Sequence, residues 1–70
     1  MTKQEIEFYR GFSVVIAELI RTYDRPSMAK DIMKNNGITI DNFQEAGCDA
    51  FDLNVIEQSL APSEGEKEGG

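Results

Sequence analysis

Residues 2–23, TKQEIEFYRGFSVVIAELIRTY, decide the fold. At about 100° per residue, Ile6, Phe8, Tyr9, Phe12, Val15, Ile16, Leu19, Ile20 and Tyr23 fall on one half of a helical wheel. Lys3, Gln4, Glu7, Arg10, Glu18, Arg21 and Thr22 fall on the other. Only Val14 sits in the polar arc, and only Ser13 in the apolar one. The β-branched run Val14–Ile16 leans toward a strand, but the period selects one amphipathic helix of roughly twenty residues. Thr2 and Glu5 stand three apart, the spacing of a capping box. Gly11 lies near the polar arc and costs about 1 kcal/mol against alanine.

The pattern breaks near Asp24–Pro26, where the proline pushes Arg25 out of the α region. Ser27 then reads as the cap of a second helix, with Met28, Ala29, Ile32 and Met33 as its inner face. Asn36-Gly37 ends it. Gly37 suits a left-handed position, and Ile38 can close back on Met33. The competing reading is a β-hairpin at Asn36-Gly37, because Ile38 and Ile40 alternate with polar neighbours. Thr39 predicts a cap for a third, short helix, with Ile38 stapled to Phe43 and an end at Gly47. A fourth helix starts at Asp49 or Asp52 and turns Phe51, Leu53, Ile56 and Leu60 inward. Residues 62–70, PSEGEKEGG, contain no apolar side chain and read as a disordered acidic tail. The expected fold is all-α: a small compact bundle of one long amphipathic helix and two to three short helices, a single domain over residues 1–61.

The 70 residues are 40% hydrophobic and 29% charged, which suits a folded domain rather than a disordered chain. A chain this short has a thin core and gains from a staple or a partner. Cys48 is the only cysteine, so no disulfide forms within the chain, and the absence of histidine excludes His-based catalysis and His-containing zinc sites. The catalytic vocabulary is too small for an enzyme, and neither a cofactor nor a metal is expected. No apolar run approaches a membrane span of about 18 residues, and no basic segment precedes an apolar one at the N-terminus. A cytoplasmic setting is expected.

Thirteen acids against seven bases give a net charge of −6. Residues 1–23 sum to zero and residues 24–36 to +1. Residues 37–61 carry Asp41, Glu45, Asp49, Asp52 and Glu57 with no base, and residues 62–70 add −2. The acidity therefore belongs to the second half. Asp41, Glu45, Asp49 and Asp52 are the candidate contact surface for a basic partner, because fixed negative charges along short helices imitate a phosphate backbone and steer association. The plainer reading of each acid is a helix cap or a solvated face. The 49–54 segment has neither the spacing nor the glycine of a calcium loop.

Ser27–Ala46 also has the outline of a helix-turn-helix, the basis of an alternative DNA-binding reading. Its second helix, IDNFQEA, carries two acids and no base, whereas DNA affinity rests on phosphate contacts from Lys or Arg. Cys48 sits among acids, which raise a thiol pKa, so packing is its expected role. Phe8, Tyr9, Phe12 and Tyr23 are candidates for core or oligomer contacts. Three short helices do not cover a face this wide along about 30 Å of helix, so a homodimer, or a homo-oligomeric assembly subunit, is a further alternative.

Over residues 25–53, RPSMAKDIMKNNGITIDNFQEAGCDAFDL, the rhythm PS-x-A-x-x-I…GIT…F-x-x-AG-x-D…DL resembles small accessory proteins of phages and prophages. The likeness covers under half the chain and carries no residue with an assigned role. It implies a protein that binds and blocks a host factor, including a defence factor. Together with the charge, the expectation is a small acidic interaction protein without catalytic activity, acting on a larger basic or nucleic-acid-binding protein.

Overall fold

Thr2 holds an extended backbone, and its hydroxyl accepts from the Glu5 N–H at 3.1 Å. The Glu5 carboxylate in turn accepts from the Thr2 N–H at 2.8 Å. This reciprocal box starts the first helix, α1 (Lys3–Arg21). The computed structural model describes residues 1–60 and contains three more helices: α2 (Pro26–Asn35), α3 (Ile40–Ala46) and α4 (Ala50–Leu60). Among the described residues there is no strand, so the protein is a small all-α bundle. The tail predicted for residues 62–70 lies outside the described residues.

The chain leaves α1 through Asp24, whose φ is +54°. Aspartate is one of the few non-glycine residues that visit this region. The Arg25 N–H donates to the Leu19 carbonyl at 2.9 Å and turns the chain back. Ser27 does not cap α2. Arg25 occupies that position without a side-chain hydrogen bond, and Pro26 is the first helical residue. Proline has its φ preset for the first turn and lacks one of the N–H groups a cap would satisfy.

At the other end of α2, the Ile38 N–H donates to the Met33 carbonyl at 2.9 Å and the Gly37 N–H to the Lys34 carbonyl at 3.1 Å. With Gly37 at φ +66°, this is the predicted Schellman ending, and no hairpin forms. Thr39 and Asn42 form a second capping box. Gly47, at φ +72°, closes α3 in the same way as Gly37 closes α2. Asp49, not Asp52, caps α4. Its carboxylate accepts from the Phe51 and Asp52 N–H groups at 3.0 and 3.4 Å.

α1 packs against each of the other helices, most extensively against α4. The core gathers Ile16, Ala17 and Ile20 of α1, Ala29 and Met33 of α2, Phe43 and Ala46 of α3, and Ile56 and Leu60 of α4, with Ile38 and Cys48 from the turns. Phe43 and Ile56 are fully buried. Ser13 is buried with them, and its hydroxyl donates to the Arg10 carbonyl one turn back at 2.7 Å. That local bond is what lets a hydroxyl sit in the apolar arc.

Several side chains expected inside are outside. On α2, Met28 is 50% exposed, because Ala29 and Met33 alone take the buried face of that helix. Phe51 is 61% exposed, and Asp52 is buried in its place. The period explains the exchange. Asp52, Ile56 and Leu60 stand at i, i+4 and i+8 and share one face, whereas Phe51 points away from it. On α1, Val15 is 58% exposed. The buried side of that helix is rotated toward the small residues Ser13 and Ala17, which with Ile16 and Ile20 make up its buried set.

Candidate acidic interface

The second half of the chain builds its acidic face from helix ends. Asp41 stands in the first turn of α3, where a carboxylate complements the helix macrodipole. Glu45 follows one turn later, so the two project from the same side of α3. Both are exposed. Like charges at this spacing cost a few tenths of a kcal/mol, so the pair opposes folding slightly. Asp49 is exposed too, although its carboxylate also caps α4. Asp52 does not join this surface. It is only 9% exposed, carried inward by the period of α4. Glu57 is half-buried and accepts from the Gln44 side chain at 2.6 Å.

Among the described residues, no lysine or arginine side chain forms an ion pair with Asp41, Glu45 or Asp49. The nearest cation to Glu45 is the amino group of Met1 at 3.9 Å.

Charge in space differs from charge along the chain. Segment sums put no base in residues 37–61, but α1 supplies two. The Arg10 Nε donates to the Ala46 carbonyl at 3.1 Å, which places a cation at the C-terminal end of α3. There it satisfies an orphan carbonyl and complements the macrodipole. Arg21 lies over the Phe51 ring with its guanidinium carbon 5.6 Å from the centroid, and it also pairs with Glu18 at 2.8 Å. Both arginines read simply as polar-face residues of a helix. Their partners are 30 or more residues away, and no local pattern announces such contacts.

The aromatic candidates divide. Tyr9 and Phe12 are half-buried, with their rings 6.4 Å from that of Phe43. Phe8 and Tyr23 are 53% and 62% exposed and are not core residues. Phe8 instead stacks along its own helix, 5.2 Å from Tyr9 and 5.5 Å from Phe12. Cys48 is buried, with its thiol 3.5 Å from the Tyr9 carbonyl, which is the packing role expected of it. Among the described residues no group of three or more Cys, Asp or Glu side chains is placed to hold a metal ion, and no helix is long and apolar enough to cross a membrane.

No protein-family model, curated protein or solved structure matches the chain. The functional reading therefore rests on the surface itself.

Proposed function

We propose that this chain is a small, non-catalytic interaction protein that binds and blocks a larger protein through a basic surface of that partner. The supporting observation is the exposure of Asp41, Glu45 and Asp49 on and just after one short helix, where among the described residues no lysine or arginine side chain pairs with them. Exposed carboxylates of this kind raise the association rate with a positive surface and disfavour negative ones. Its spacing along a rigid element lets it occupy a site built for a phosphate backbone. The phage-accessory likeness of residues 25–53 points the same way, toward inhibition of a host or defence factor in the cytoplasm.

DNA binding through α2 and α3 is the weaker reading. The two helices are consecutive but make no close approach to each other, unlike the packed pair of a helix-turn-helix. α3 also presents Asp41 and Glu45 where phosphate contacts would require cations.

The test is a comparative capture from host lysate. One bait is the wild-type chain, and the other carries Asp41→Asn, Glu45→Gln and Asp49→Asn together. Asparagine caps helices about as well as aspartate, so the variant removes charge while keeping the α4 cap. A protein retained by the wild type and lost by the variant is the expected result. Identical captures by the two baits would overturn the proposal.

A further inference from the structure

Four apolar residues on α1 lie outside the core in a register of their own. Phe8, Phe12, Val15 and Leu19 are spaced four, three and four apart. Phe8 and Val15 are 53% and 58% exposed, and Phe12 and Leu19 are half-buried at the edge of the core. This is the alternation of a coiled-coil seam. Phe12 and Leu19 pack against the core, the Phe12 ring 6.4 Å from that of Phe43 on α3.

We infer that this seam docks a second copy of the chain, with the two α1 helices antiparallel across a two-fold axis. Two features select this occupant. The spacing is a palindrome, so a two-fold axis between Phe12 and Val15 sets Phe8 against Leu19 of the second copy and Phe12 against its Val15. Each layer then pairs a ring with an aliphatic side chain. A parallel pair would crowd ring on ring at one end and leave small residues facing at the other. An isologous contact requires this kind of self-complementarity.

The second feature is charge. Between Phe8 and Ile20 the only ionised side chains are Arg10 and Glu18. Arg10 is committed to the Ala46 carbonyl and Glu18 to Arg21. The seam therefore offers nothing to a charged partner and is separate from the acidic face.

Area sets how tight the pair is. With aromatic side chains worth about 150–250 Å² each, the exposed parts of the four residues amount to roughly 300 Å² per copy. A standard stable interface buries about 800 Å² a side. The pair is thus a reversible dimer populated at roughly hundreds of micromolar, not a permanent one.

Sedimentation equilibrium of the full chain, from micromolar to hundreds of micromolar, tests the assignment against Val15→Lys. Position 15 is exposed, so the variant keeps the wild-type helical circular dichroism. The expected result is a wild-type monomer–dimer equilibrium that tightens at high salt, where repulsion between two acidic chains is screened, and at least a tenfold weaker dimer for Val15→Lys. A spin label at Gln4→Cys reports the direction of the helices. Antiparallel copies separate the two labels by about 30 Å along the axis, whereas parallel copies bring them side by side. Side-by-side labels overturn the orientation. A wild-type chain that stays monomeric throughout, including one that instead binds lipid vesicles, overturns the docking, as does a dimer unaffected by Val15→Lys.

Discussion

Arg10 lies on the polar side of α1 in any helical projection, yet it ends the third helix. Its Nη2 stands 3.3 Å from where a side-chain carbon on Gly47 would sit, and Gly47 itself holds φ +72°. Two constraints, one conformational and one steric, therefore meet at a single glycine. Gly47→Ala is expected to lower unfolding stability by about 1–2 kcal/mol, the cost of holding a Cβ in the left-handed region, with any displacement of Arg10 adding to it. Chemical denaturation measures this, and a change of under half a kcal/mol would contradict it. The turn at Gly47 was readable beforehand, because left-handed helix ends carry a local glycine signal. The arginine contact was not, because its partner is 36 residues away.

The helix ends show the same division between local and distant information. The Thr2–Glu5 box, the Thr39 cap and the Gly37 ending depend on residues within one turn, and each was legible in the sequence, whereas the reciprocal bond from Asn42 was not, because the usual box carries Glu or Gln there. Phe51 takes the outward angle that the period of α4 gives it, although its residue type suits the core. An exposed phenylalanine on α4 fits the angle, and the Arg21 guanidinium above it supplies the compensation. Phe51→Ala is therefore expected to cost no more than about 1 kcal/mol, the scale of a surface cation–π contact. Ile56→Ala, on the opposite side of the same helix, should cost about 2–5 kcal/mol. Equal losses in thermal or urea unfolding would contradict this assignment of faces. The N-terminal box also titrates. The backbone hydrogen bond from Thr2 holds the Glu5 carboxyl below its ordinary value. A depressed carboxyl contributes stability above its unfolded pKa and loses it as pH falls through the folded one. Helicity of α1 should decline on acidification in the wild type, and that component should be missing in Glu5→Gln when both are followed by circular dichroism.

At the scale of the whole molecule, the chain presents two different surfaces. An acidic one is carried by α3 and the start of α4, and an apolar seam runs along α1. The sequence indicated both in outline. Its excess of acids had a location, and its first helix was too apolar for three short helices to cover. Finer membership needed the packing: Asp52 left the acidic set because the α4 period turns it inward, and Phe8 and Tyr23 left the core because the buried side of α1 runs through Ser13, Ile16, Ala17 and Ile20. Partner affinity as a function of salt tests the acidic set. The affinity of the wild-type chain should fall as salt rises. The variant carrying Asp41→Asn, Glu45→Gln and Asp49→Asn should bind more weakly with a shallower salt slope, at unchanged helicity. An affinity and a slope the same for both chains would contradict it.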